Sequence, residues 1–310
     1  MKMRREFPAL DLKEGERLSA IALIKRVFPR VYNEFEKAAF PENFPSTTYM
    51  SAVPWMERLT RDRKDLAIEF ARGARRLKGG GSIARLYIKC LDDMVSKDKR
   101  LKEFVSLDGN LFYSHTLLNQ KLWNLEDRGM IKTLEKKLGA INQEIGLAPD
   151  TYYALLSMDG DRIGAILQRY KDKKQEISQA ISAFSNSVPR IIEDNNGQVI
   201  YAGGEDVFAI LPVNTSIDAA VQLKEKYAQL FVKVFGSDKI ATISASIVFA
   251  HHHAPLTRVY SETNFILDKV AKDEYGRSSL AIGIWNTGGP DLVWAMPWEV
   301  FLGEDEGENL

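Results

Sequence analysis

Apolar positions recur at two different periods along this chain, and the change of period divides it near residue 148. Before that point, "ERLSAIALIKRVF" and "LAIEFARGARRL" repeat apolar residues at helical spacing. Between them "FPENFPSTTYM", rich in Pro, Ser and Thr, reads as a loop. From Thr151 the pattern sharpens. "TYYALLSM" is an apolar run of strand length ending at "DGDRIG", and "ISQAISAFSNSVPRII" then places Ile177, Ile181, Phe184 and Val188 on one helix face. The "NNGQ" turn ends that helix. "VIYA" and "VFAILP" are strands on either side of a glycine pair. "SIDAAVQLKEKYAQLFVKVFG" is a helix with Ser216 as N-cap and Gly236 as stop. "ATISASIVFA" is a further strand, "SETNFILDKVAKDEYG" a helix, and "SLAIGIW" a last strand.

The order β, α, β, β, α, β, α, β predicts an α+β fold: a ferredoxin-like split βαβ sheet with an added helix and strand, preceded by a mainly helical domain. The expected boundaries are 1–147 for the helical domain, 148–290 for the sheet domain and 291–310 for an acidic C-terminal tail.

Composition narrows the function classes. The 310 residues carry 42 Lys and Arg against 42 Asp and Glu, so net charge gives no reason to expect generic nucleic-acid or membrane binding. Basic residues are in excess between Glu57 and Lys89, which reads as a solvated helix face, with an RNA or phosphate contact as the alternative. The single cysteine, Cys90, reads as core and excludes an intrachain disulfide or a cysteine-rich zinc site. "KGGGS", Lys78 to Ser82, reads as a flexible linker. No apolar run approaches a membrane span and "MKMRREFPALDL" lacks the apolar segment of a signal peptide, so the expected location is the cytoplasm. His251 to His253 leave a strand on alternate faces and read as a loop or partner contact, not as a metal site.

The candidate chemistry lies in the second half. Asp159 and Asp161 of "DGD" are two apart and share a face if the strand persists through Gly160. In "GGED", Gly203 and Gly204 allow phosphates to approach the backbone, and Glu205 and Asp206 present carboxylates at the edge of the same sheet. Either motif alone is commonly a turn. Together, each after an apolar strand, they supply the hard oxygen ligands that Mg²⁺ or Mn²⁺ requires, in a two-metal site assigned to Asp159, Gly160, Asp161, Glu205 and Asp206. Lys272, near a helix end, and Arg277, after Gly276, are placed to neutralise a triphosphate.

These residues resemble a known family. "YYALLSMDGDRIG", "VPRIIEDNNGQVIYAGGEDVFAILPVNTSIDAA" and "TISASIVFAHHHAPL" are similar to the second palm domain of the large subunit of type III CRISPR effector complexes, the Cmr-type CRISPR polymerase. "EGERLSAIALIKRVFP", "FPSTTYM" and "LDGNLFY" look like the helical, zinc-binding region before that palm. "GGEDVF" and "AKDEYGR" are more distantly similar to diguanylate cyclase motifs. The resemblance implies synthesis of cyclic oligoadenylate from ATP, with Asp159, Glu205 and Asp206 catalytic and Gly203, Gly204, Lys272 and Arg277 on the nucleotide. It also implies the partners: the small, backbone and RNA-tag-binding subunits, CRISPR RNA and target RNA.

Several positions depart from the family pattern. Glu205 stands where the family usually has Asp, Ser19 and Ala22 replace a Cys-x-x-Cys pair so that no zinc is expected, and Ser246 replaces a frequent glycine on the strand expected to face the nucleotide. No adjacent His-Asp pair occurs, so no HD-type nuclease is expected. A first palm is not recognised, and the second palm would come from a homodimer or a separate chain. After Trp298 the chain stops where the family continues into a helical domain. Two other readings stay open: a catalytically silent scaffold of the same complex, and a free-standing diguanylate-type cyclase.

Overall fold

The structure, a computed structural model, describes residues 19, 20, 23, 24, 27, 28, 44–77, 87–119 and 128–303. "KGGGS", Ala22, most of "ERLSAIALIKRVF" and residues 304–310 of the acidic tail lie outside them. In the first half the chain forms α1 (Thr47–Asp62), α2 (Lys64–Ala74), α3 (Lys89–Lys97), α4 (Lys102–Val105), α5 (Ser114–Leu117) and α6 (Arg128–Ile145). The loop expected over "FPENFPSTTYM" is corrected at its end: Thr47 to Met50 are helical, and Ser46 Oγ accepts the Tyr49 N–H at 3.2 Å. The Ser/Thr cluster marks an N-cap, where such side chains satisfy orphan amides, and not a break. Aromatic rings fill the centre, with Trp55 and Phe104 each 5.5–6.1 Å from their ring neighbours around Phe112.

Basic side chains of this half pair with acids at the surface, as Arg58 does with Asp62 and Arg75 with Glu103, each at 2.5 Å. That agrees with a solvated face. Cys90 is partly buried against the helical core, and burial pushes its thiol up to about 12.

The second half runs β1 (Tyr152–Gly160), α7 (Ile163–Arg169), α8 (Lys174–Asp194), β2 (Gln198–Gly203), β3 (Asp206–Leu211), α9 (Val213–Phe235), β4 (Ile243–His251) and α10 (Leu256–Phe265). A π-helix (Ile266–Glu274), β5 (Ser279–Asn286), β6 (Gly289–Pro297) and α11 (Trp298–Leu302) complete it. The sheet order is β2-β3-β1-β4-β5-β6, parallel only between β4 and β5. The first four strands thus have the ferredoxin-like arrangement that the sequence predicts.

Three expectations change. Ser216 is not the N-cap: α9 starts at Val213 behind extended Pro212, and Ser216 Oγ donates to the Val213 carbonyl at 3.0 Å. Proline's fixed φ and missing N–H suit it to a helix entrance. The helix over "SETNFILDKVAKDEYG" changes type at Ile266, and its Tyr275 N–H reaches back five residues to the Val270 carbonyl at 3.0 Å. The stretch from 291, expected as tail, supplies most of β6 and then α11.

Alternation along β1 sends its side chains to two cores. Ala154, Leu156 and Met158 pack with Ile177 and Phe184 of α8 and Leu223 and Phe231 of α9. Tyr153 and Leu155 face the other way and join Val248, Val259 and Ile266 in one cluster with Trp55, Phe70 and Phe112 of the helical half. Helices therefore cover both faces, and Pro45–Leu310 is one compact unit.

Candidate functional site

The end of β1 and the β2–β3 hairpin meet by register. Met158 pairs with Val207, so the next step along the same antiparallel ladder sets Asp159 opposite Asp206. Like charges so placed repel. The hairpin closes with two residues between Gly203 and Asp206, and Gly204 takes φ +67° at the first of them, where a side chain would be strained. On β2 the pairing skips Ile200, and the irregularity lets both Ile200 and Tyr201 line a cleft of about 880 Å³. Asp159, Asp206 and Lys272 lie in that cleft with Phe208, Tyr260 and Asn264. Phe208 and Tyr260 meet edge to face at 5.1 Å and form an aromatic wall.

Lys272 comes from the π-helix, bonds the Asp159 carboxylate, and lies 3.3 Å from Asp268 one helical turn back. Burial pulls its ammonium down, but the bond and charge of Asp159, with those of Asp268, outweigh this and hold it above its ordinary value. One cation does not balance the carboxylates. The hydrogen bond to Asp159, then burial and the charges of Asp159 and Glu205, raise Asp206 to about 7 despite Lys272. A carboxylate set that keeps a proton at neutral pH for want of positive charge, built from hard oxygen donors, fits a divalent cation.

The other predicted residues are distributed around this centre. Asp161 is 4% exposed and is not among the residues lining the cleft. Its carboxylate accepts from Thr242 Oγ1 at 2.7 Å, Ser244 Oγ at 2.8 Å and the Ser278 N–H at 3.0 Å. It therefore anchors the Gly276–Ser278 loop, whose three residues all have positive φ. The strand ends before Asp161, which removes the shared face that the spacing suggested. Gly160 is a close approach: a Cβ there would lie 2.7 Å from Tyr227 Oη and 2.8 Å from Glu205 Cβ. Glu205 thus packs against the β1 backbone and is not among the residues lining the cleft. Gly203 lies under the Tyr201 ring. Arg277 does not line the cleft; its guanidinium reaches the Lys272 carbonyl at 3.5 Å. Ser246 is fully buried, and its Oγ donates to the Thr263 carbonyl at 2.8 Å, so it ties β4 to α10 and does not face a nucleotide.

Sequence reasoning missed the α10 wall. Leu256, Thr257, Tyr260, Ser261 and Asn264 recur at helical spacing along the cleft, opposite buried Val259 and Thr263. That period was the available signal.

The family model "Cas10/Cmr2, second palm domain" matches residues 152–281, which contain every carboxylate of the cleft centre. Residues 152–281 form a Cas10/Cmr2-type palm. The CRISPR system Cmr subunit Cmr2 of Pyrococcus furiosus is 30% identical over 248 residues, covering 67% of this chain and 28% of Cmr2. Two type III-B Cmr-beta cryo-EM structures share the fold: the complex bound to cognate target RNA, with TM-score 0.59 and 14% identity, and the apo state, with TM-score 0.57 and 13% identity. These alignments cover 96% and 93% of this chain but only 42% and 41% of the matched chains. The Cas10/Cmr2-type palm thus sits in a chain that spans well under half the length of these relatives. Among the described residues no helix is long and apolar enough to cross a membrane.

Proposed function

We propose that the palm binds a nucleoside triphosphate in the 880 Å³ cleft and links nucleotides as the large-subunit polymerase of a type III CRISPR complex, making cyclic oligoadenylate from ATP. The observation that carries this reading is the convergence of Asp159, Asp206 and Lys272 in one cleft with an aromatic wall. In the proposed reaction a ribose 3′-oxygen forms a bond to the α-phosphorus, the bond to the β-phosphate breaks, pyrophosphate leaves and the hydroxyl proton passes to water. Asp159 and Asp206, with Glu205 contributing from the turn, would hold Mg²⁺ or Mn²⁺, which when bound lowers the charge barrier on the phosphates and makes the hydroxyl more acidic. Lys272 exchanges its bond to Asp159 for the triphosphate. Gly204 leaves room for phosphate beside the hairpin while Gly203 makes room for the Tyr201 ring, Arg277 steadies the C-terminal end of the π-helix through the Lys272 carbonyl, and the Phe208–Tyr260 pair takes the base.

In this reading residues 1–147 are the helical region and 148–290 the palm. The chain assembles in the cytoplasm with small, backbone and RNA-tag-binding subunits, CRISPR RNA and target RNA, and a second palm is supplied by another copy or another chain. A silent scaffold is the second reading, favoured by Asp161 being closed off by hydroxyls and by Glu205 lying against Gly160. Labelled ATP, Mn²⁺ or Mg²⁺ and target RNA, added to the assembled complex, separate the two. The expected result is oligoadenylate plus pyrophosphate, lost by at least a hundredfold in Asp159→Asn with assembly intact. Assembly without product under every combination supports the scaffold, and product from GTP in preference to ATP supports a diguanylate-type cyclase.

A further inference from the structure

All four histidines of the chain meet at one place outside the lining of the cleft, although His115 is remote in sequence from the run His251 to His253. His115 comes from α5 in the helical half, and His251, His252 and His253 from the end of β4. The expectation that successive histidines diverge applies only while the strand lasts. The chain turns after His251, where the Ala254 N–H donates to the His251 carbonyl at 2.7 Å. His252 and His253 lie in that turn with rings stacked at 4.4 Å, and His115 sits 5.5 and 4.9 Å from them by ring centroid.

His252 is the decisive residue. It is 4% exposed, and neither ring nitrogen has a hydrogen-bond partner. A buried imidazole always has at least one nitrogen lone pair to satisfy, and leaving it bare costs as much as a lost hydrogen bond. The backbone around it is fixed: Thr47 Oγ1 donates to the His252 carbonyl, and the His252 N–H donates to the Thr151 carbonyl, both at 2.9 Å. Nearby, the Nε2 atoms of His115 and His253 face each other at 3.4 Å, long for a hydrogen bond. Two nitrogens bound at about 2.0–2.1 Å to a tetrahedral zinc ion lie roughly 3.4 Å apart. One nitrogen from each of the three rings lies within 4.8 Å of the others.

We infer that His115, His252 and His253 form a transition-metal site, with Zn²⁺ as its ion, that clasps α5 to the end of β4. Three imidazoles suit Zn²⁺ and its neighbours, and not the Mg²⁺ or Mn²⁺ proposed for the carboxylates of the palm. With two of the ligands exposed, the fourth position is open to water. His251 touches the cluster without joining its converging nitrogens: its Nδ1 accepts the His253 backbone N–H at 3.2 Å, and its ring lies 4.8 and 5.4 Å from those of His252 and His253.

The test uses the full chain, stripped with a chelator and titrated with Zn²⁺ in excess Mg²⁺ so that the palm carboxylates do not compete. Bound zinc should reach one ion per chain and raise the melting temperature, and Co²⁺ in its place should give the intense visible bands of a tetrahedral site. His115→Gln and His253→Gln, both at exposed rings and checked for fold by circular dichroism, should each weaken binding at least tenfold. Absence of stoichiometric zinc in the wild type, or equal affinity in the folded His115→Gln/His253→Gln pair, overturns the site.

Discussion

Asp206 ionises only against the pull of its surroundings. Because its carboxyl is raised to about 7 from an unfolded value near 3.8, the metal-free fold is stabilised by its proton at low pH. That contribution is complete below about pH 4, declines as pH rises, and is gone above about pH 7. Asp206→Asn should therefore stabilise the metal-free chain at pH 8, by roughly 1 kcal/mol once solvent screening at this exposed residue is allowed for, and have no effect at pH 4. It should also abolish the rise in melting temperature that Mn²⁺ gives the wild type at pH 8. Thermal scans at the two pH values, with and without Mn²⁺, test both statements. Tyr227 gives a second residue-scale expectation, since its hydroxyl is buried without a partner and sits where a Gly160 Cβ would go. Gly160→Ala should cost about 1–3 kcal/mol by overpacking, Tyr227→Phe alone should be close to neutral, and the double variant should recover part of the loss. Additive losses in denaturant titrations would rule out that coupling.

Among the elements, the β2–β3 hairpin was the most legible, because "GG" between two apolar strands specifies a tight turn whose partners need no tertiary information. The strand order of the first four strands followed from the sequence of element types. What local patterns could not reveal was where a strand stops. Asp161 lies one residue past β1, and its fate was decided by hydroxyls on the β4 side, Thr242 and Ser244, some 80 residues away. The π-helix escaped notice for a similar reason, since a run such as "ILDKVAKDE" has the same residues whether its bonds span four positions or five. β6 was hidden by exposure: Leu292, Val293 and Trp294 of this edge strand are 39–56% exposed, so no buried face imposes alternation. The π-helix carries its own prediction. Removing one residue between Ile266 and Asp268 should restore α-helical winding and swing Lys272 away from Asp159, with product formation lost and the fold kept. Product assays beside circular dichroism would check this.

At the scale of the whole molecule, the cluster that joins Trp55 and Phe112 to Tyr153, Leu155 and Val248 makes the helical half a cover for one face of the sheet. A truncated chain of residues 148–303 would expose that face and should aggregate, whereas residues 45–303 should melt in a single calorimetric transition. Two resolved transitions would contradict a shared core. The position of β2 at the edge of the sheet has a different consequence. Asp159 and Asp206 belong to the central ladder, flanked by strands on both sides, but Gly203 and the turn hang on an edge strand whose pairing is already broken at Ile200. Local opening is therefore unequal across one site: amides of β2 should exchange with deuterium orders of magnitude faster than those of β1. The cleft has a slow wall and a fast one, and in the proposed reaction breathing at the fast wall would set how often phosphates reach the carboxylates.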